Sequence, residues 1–287
     1  MGCEMGIYCE SSERSDGLNW VKKHLEDKGY KVLAFEGYTV KNDAVSLLLD
    51  RFAFETRKEI YSTAEIFNLI KDYMGDDYDY KLRFAHDNGI RWYILCYQYP
   101  DKSFLIEPKT NEVERIKIFK SFEEFGTWTY MYRDMNMKSR YEEDGLPQID
   151  KILRKNKTPW PGNLDGLLVY KNEFIILLEY QRTSIKKVKD HSNNEYFLPN
   201  GRRKGDVNRW KVAEMISKST KLPIMIIVWS DKEEVIRLKM IEKIVYPNET
   251  NKSDAGLVYY FDELINKDDI EDQLNHICEN IAEYEVK

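Results

Sequence analysis

Residues 161–181 read PGNLDGLLVYKNEFIILLEYQ and predict a β-hairpin whose two strands each carry an acid near one end. The two runs on either side of Lys171-Asn172-Glu173 are apolar at successive positions, so both faces of each strand are apolar. Such runs are typical of central strands covered by helices on both sides. Asp165 lies near the start of the first strand and Glu179 near the end of the second, where a buried carboxylate needs a cation or a metal.

The length of the hairpin loop decides whether these two acids share a face of the sheet. Opposed residues on paired strands share a face, and side chains alternate along each strand. A three-residue loop, Lys171-Asn172-Glu173, sets Asp165 opposite Glu179 and puts Gln181 on the same face. A two-residue loop, Lys171-Asn172, would pair Asp165 with Leu178 and turn Glu179 to the other face. A metal site therefore requires the three-residue loop.

The hairpin is followed by a polar, basic stretch, a helix and another strand. The spacing of apolar residues predicts a helix over Asp206–Lys218, and residues 222–229 read as a buried strand with Pro223 at its start. A hairpin, a helix and a return strand predict an α/β fold with a right-handed crossover.

These residues resemble the PD-(D/E)XK nuclease superfamily, to which many restriction endonucleases belong. Asp165 stands at the family's first acid, Glu179 at the second, and Gln181 where Lys is usual. The resemblance, which covers about residues 147–230, implies a restriction endonuclease-like core with a central mixed sheet flanked by helices. This chain departs from the family pattern at two points. Gln181 stands where the family has Lys, a change found in some active members and also in inactive ones, and Pro161 lies four residues before Asp165.

The resemblance further implies a Mg²⁺-dependent endonuclease acting on DNA, of the type II restriction kind, with Mn²⁺ as a substitute ion. Asp165, Glu179 and the backbone carbonyl of Tyr180 would ligate the metal through oxygen, and Gln181 would orient the attacking water. Gln181 cannot supply the positive charge of a Lys. The family also leads us to expect a homodimer.

Charge is unevenly distributed along the chain. The 287 residues carry a formal net charge of −6, which alone argues against nonspecific binding of nucleic acid, yet residues 151–221 hold 16 Lys or Arg against 7 Asp or Glu. A basic region around the candidate site suits a polyanionic substrate. The alternative is that these residues form a solvated loop. The residues that we expect to contact DNA phosphates are Lys186, Lys187, Arg202, Arg203, Lys204 and Arg209.

The rest of the chain predicts a large N-terminal or inserted α+β region. We expect an N-terminal α+β region over 1–140 and the nuclease core over 141–287. Residues 17–38 could instead supply the first helix and strand of the core; in the other layout a helix from Pro147 to Lys155 opens it. The function of residues 40–145 is then accessory or DNA recognition.

Further elements are expected on the same grounds, and no internal repeat is visible. The predicted elements are helices at 18–28, 62–74, 122–132 and mainly 262–284, a strand at 30–35, and a hairpin of 92–97 with 103–106 turned at 100–102.

The four cysteines lack metal-like spacing, so reduced thiols and a cytoplasmic location are expected. No apolar run reaches the roughly 20 residues that span a bilayer, so no membrane partner is expected.

Two alternatives remain open. The chain could be a degenerate member of the same fold that binds nucleic acid without cutting it, which Gln181 favours. It could also be an unrelated interaction protein in which Asp165 and Glu179 are ordinary acids at strand ends.

Overall fold

The computed structural model shows an α/β protein. It describes residues 7–9, 25–54, 62–99, 102–134, 146–200, 205–247 and 254–284. The chain forms two compact units: unit 1 comprises residues 1–15 and 35–163, and unit 2 comprises residues 16–34 and 164–287. Residues 16–34 therefore group with the C-terminal part of the chain.

Unit 1 contains strands packed against helices on both faces. Its elements in chain order are β1 (Ile7–Tyr8), the second part of β2 (Tyr30–Lys41), β3 (Ala44–Phe54), α1 (Thr63–Met74), α2 (Asp77–Asp87), β4 (Arg91–Gln98), β5 (Lys102–Pro108), β6 (Val113–Phe119), α3 (Phe122–Tyr130) and α4 (Gln148–Lys155). The strand order is β2-β3-β4-β5-β6, with β1 on β3. Leu95, Phe125 and Leu153 join strands and helices in one apolar core.

Unit 2 repeats this plan. Its elements are the first part of β2, β7 (Gly162–Tyr170), β8 (Glu173–Arg182), α5 (Asn194–Phe197), α6 (Val207–Thr220), β9 (Ile224–Trp229), β10 (Val235–Val245), β11 (Gly256–Asn266) and α7 (Ile270–Glu279). The strand order is β7-β8-β9-β10-β11, with β8 and β9 parallel. Helix α7 covers one face through Ile270, Leu274 and Ile277.

The two units share the register of their opening hairpins, so the structure contains a repeat that the sequence analysis missed. Gly37 pairs with Leu49 in unit 1, and Gly166 pairs with Leu178 in unit 2, each 129 positions later. Both hairpins turn through two residues at positive φ, and both bulge at the same distance from the turn. Few residues match between the two hairpins, which explains why the repeat is not visible in the sequence.

Several predicted elements are confirmed. Helix α1 lies where expected, and its N-cap Ser62 accepts from the backbone N–H of Glu65 while Glu65 bonds back to the N–H of Ser62. Helices α3, α4 and α6 and strands β4, β5 and β9 also match within a few residues. The expected turn at 100–102 and residues 18–24 of the expected first helix fall largely outside the described residues, and residues 26–28 form a short 3₁₀ helix.

The prediction of a mainly helical segment over 262–284 is wrong at its start. Residues 256–266 form β11, an antiparallel partner of β10, and the helix begins only at Ile270. The pairing with β10 stabilises this strand although its outer half is largely exposed. Among the described residues, no helix combines the length and the apolar character that crossing a membrane requires.

Candidate active site

The β7–β8 hairpin turns through two residues, so the expected three-residue loop is wrong. Lys171 and Asn172 have φ values of 48° and 70°, and Tyr170 pairs with Glu173. Two consecutive positive φ values are the geometry of a type I′ turn, whose twist matches that of the flanking strands.

A β-bulge then restores the register that the metal site needs. Val169 pairs with Phe174 and Leu168 with Ile176, which leaves Ile175 without an opposite residue. The pairing continues to Gly166 and Leu178. Continued by one residue beyond that last pair, the same register would oppose Asp165 to Glu179 and put both acids on one face although the loop has two residues.

Asp165 reaches across to the neighbouring strand. Its Oδ2 accepts a hydrogen bond from the backbone N–H of Tyr180 at 3.0 Å. The Tyr180 side chain lies on the opposite face with the apolar core, and burial, aided by the charge of Asp165, raises its pKa well above the usual value. Asp165 is therefore held beside the end of β8.

Glu179 is paired with a cation from the helix that follows the hairpin. Arg209, in the first turn of α6, forms an ion pair through Nη2 with Glu179 Oε1. The Glu179 side chain is 14% exposed and that of Arg209 is 39% exposed. Arg209, predicted to contact a phosphate, thus lies at the second acid of the motif.

Gln181 lies on the same face and is held by an amide. Asn193 Nδ2 donates to Gln181 Oε1 at 2.6 Å, and Asn193 Oδ1 accepts from Lys239 Nζ at 3.0 Å. Asn193 and Lys239 are both buried. The side chain of Gln181 is therefore tied to a buried cation through one intermediate residue.

Lys239 belongs to the same row of the sheet as Glu179. Glu179 pairs with Ile226, Ile226 with Lys239, and Lys239 with Asp262, each on the next strand. Residues paired in this way share a face. The sequence analysis missed Lys239, although a charged residue between the apolar Leu238 and Met240 was a usable signal.

The other residues expected to contact DNA are only partly described. Lys186 forms an ion pair with Glu195, and Lys187 precedes a short 3₁₀ helix at Val188–Asp190. Arg202, Arg203 and Lys204 lie outside the described residues. Their contact with DNA stays a prediction.

The charged groups of the site suit a cation but form no large ligand cluster. Within the described ranges, no group of three or more His, Cys, Asp or Glu side chains is placed to hold a metal. The carboxylates of Asp165 and Glu179 remain, of which the second already binds the guanidinium of Arg209. Carboxylate oxygens are the donors that Mg²⁺ prefers, with water completing its coordination.

Comparison with known proteins assigns no family. No protein-family model matches the chain, and no curated protein matches it. Among solved structures, the chain is similar to the crystal structure of a sex pheromone staph-cAM373 precursor, with 9% identity and a TM-score of 0.17 over 91% of this chain and 85% of that one. A TM-score this low carries no argument about fold or function.

Proposed function

We propose that unit 2 is a restriction endonuclease-like core and that the protein is a Mg²⁺-dependent endonuclease that hydrolyses phosphodiester bonds in DNA. The observation that carries the proposal is the bulge at Ile175. The bulge supports the proposal because the register beyond it, extended by one residue, opposes Asp165 to Glu179, whereas the two-residue turn alone would separate them.

Asp165 and Glu179 would hold Mg²⁺ or Mn²⁺, with the backbone carbonyl of Tyr180 as a third ligand by family resemblance. The ion supplies a bound water of lowered pKa and offsets charge that develops on the phosphate. The Tyr180 N–H fixes one oxygen of Asp165, which orients this carboxylate before any ligand binds.

Arg209 and Gln181 act on the substrate side of the site. The half-exposed guanidinium of Arg209 neutralises Glu179 in the free protein and can turn to a phosphate oxygen when a cation takes its place. Gln181 can donate hydrogen bonds from Nε2, because its Oε1 is already occupied by Asn193.

Cleavage of DNA in the presence of Mg²⁺ or Mn²⁺ tests the proposal, together with Mn²⁺ binding by calorimetry. Asp165→Asn and Glu179→Gln should each lose cleavage and most of the Mn²⁺ affinity, since each removes an anionic ligand. Glu173→Gln is the matched control, because Glu173 is an exposed acid at the turn end of the same hairpin. Wild-type cleavage by Asp165→Asn would refute the site.

A second candidate function is binding of nucleic acid without cleavage. The Arg209–Glu179 ion pair favours it, because a cation from the protein itself occupies the second acid. The wild type would then bind DNA but leave it intact in either metal, and Gln181→Lys would gain cleavage. If neither form bound nor cut DNA or RNA, the interaction-protein alternative would stand.

Cleavage of both DNA strands leads us to expect that the protein acts as a homodimer. A restriction-type enzyme with one site per chain cuts both strands as a homodimer, and its cleavage follows the dimer concentration. Sedimentation of the protein with and without DNA measures this directly.

A further inference from the structure

Lys239 occupies a buried site in which its ammonium group donates two hydrogen bonds and lies beside a carboxylate. It is 1% exposed, and Nζ donates to the backbone oxygen of His191 at 3.1 Å and to Asn193 Oδ1 at 3.0 Å. Asp262 Oδ2 lies 3.8 Å away. Burial lowers the pKa of Lys239 to about 8, against the raising effect of Asp262, so the ammonium is charged at neutral pH.

The ammonium group of Lys239 can only donate hydrogen bonds, and this fixes the orientation of the side-chain amides of Asn193 and then of Gln181. A charged Lys can donate but not accept, so the atom of Asn193 that faces it must be the oxygen. The hydroxyl of Tyr259 points to the same oxygen at 3.3 Å. Asn193 then has only its NH₂ group for Gln181, which must meet it with Oε1.

This chain of hydrogen bonds leaves Gln181 as a donor. Its Oε1 is used by Asn193, and none of the described residues accepts a hydrogen bond from its Nε2. Successive hydrogen bonds polarise one another in a buried setting, so a positive charge at the far end strengthens the N–H groups at the near end.

We propose that Lys239 is a positioning residue, which acts through Asn193 to hold Gln181 with its Nε2 group free to donate to a phosphodiester oxygen. The proposal rests on the proposed function for the identity of the substrate. The orientation of Gln181, however, is a property of the free protein and can be measured without a substrate or a metal.

The titratable and charged groups around Lys239 lie on its own strand, on β11 and in the segment that follows β8. Arg237 on the same strand pairs with Asp262 on β11, so Asp262 is shared between two cations. His191 contributes its backbone oxygen, and its ring is neutral because burial lowers its pKa to about 4. Tyr259 stays protonated because burial raises its pKa. Lys239 is therefore the group of this network that titrates near pH 8.

The side-chain amide resonances of Gln181, followed by NMR against pH, test the orientation in the metal-free protein. They should shift with a midpoint near pH 8 as Lys239 loses its proton, and the shift should vanish in Lys239→Met. Lys243→Met, an exposed lysine on the same strand, should keep it. A flat profile in the wild type, or an unchanged midpoint in Lys239→Met, would overturn the proposal.

Asn193→Asp reverses the orientation and supplies a second test. A carboxylate can only accept, so Gln181 must turn Nε2 toward residue 193 and present Oε1 to the substrate. Affinity for a labelled DNA duplex, measured by fluorescence anisotropy, should fall on the order of tenfold through loss of one charge-assisted hydrogen bond. Unchanged affinity in a protein that binds DNA would contradict the proposal. If the wild type binds no DNA while the Gln181 resonances titrate, the orientation of Gln181 by Lys239 is supported and DNA is excluded as the substrate.

Discussion

The opening hairpins of the two units each carry an acid at the same position, yet one acid is fully buried and the other is partly exposed. Asp50 in unit 1 corresponds to Glu179 in unit 2, since both follow the paired leucines Leu49 and Leu178. Each acid pairs with a basic residue from a helix that follows the hairpin, Lys81 for Asp50 and Arg209 for Glu179.

The surroundings of the two ion pairs differ. Asp50 is 2% exposed and accepts from Lys81, from Trp92 Nε1 at 2.9 Å and from the backbone N–H of Glu36. Burial raises the pKa of Asp50, and the charge of Lys81 opposes this effect. Within the part of the chain that the structure describes, Glu179 pairs with one cation, Arg209, whose side chain is more than one-third exposed. The same topology thus holds a fully buried ion pair in unit 1 and a partly exposed one in unit 2, where we propose that ligands bind.

The largest expected effect is on stability. Lys81→Met leaves Asp50 as a buried charge without its cation and should lower the free energy of unfolding by about 3–5 kcal/mol. Arg209→Met makes the same substitution at the exposed pair and should cost about 1 kcal/mol or less. Urea denaturation of both variants measures the difference. Equal losses in the free energy of unfolding would show that the two ion pairs do not differ in their contribution to stability.

A smaller effect is expected on metal affinity. Arg209→Met removes the cation that competes for Glu179 and should raise the affinity for Mn²⁺ about fivefold, the equivalent of roughly 1 kcal/mol for a half-exposed pair. Calorimetry gives the affinity directly. Lys218→Met, which breaks the pair with Glu214 on the same helix, is the control and should leave it unchanged. A lower affinity in Arg209→Met would mean that the arginine supports the site rather than occupying it.

The smallest effect is expected from deleting Ile175, the bulged residue. The two-residue turn would then continue into regular pairing with Asp165 still opposite Glu179, so Mn²⁺ affinity should stay within about twofold of the wild type. Calorimetry on the deletion variant checks this. Loss of metal binding would show that the bulge shapes the site beyond restoring the register.

Local signals in the sequence predicted much of the secondary structure and the two acids. Helix α1 follows from the Ser62–Glu65 capping box, and β8 and β9 follow from continuous apolar runs. The hairpin was also recognised from its sequence, but the length of its loop and the pairing beside the turn were not. The two-residue turn shifts the strand pairing by one residue, and the bulge at Ile175 shifts it back, so the turn alone does not determine the register.

The sequence by itself determined the hairpin, its acids and the helix that follows, because these depend on residues close together in the chain. The tertiary structure decided the repeat, the pairing of β10 with β11 and the partners of the site. Lys239 is linked to Gln181 only because β9 pairs with both β8 and β10 and because Asn193 bonds to both side chains. Contacts of this kind join residues that are distant in the sequence, so they produce no local pattern from which they could be predicted.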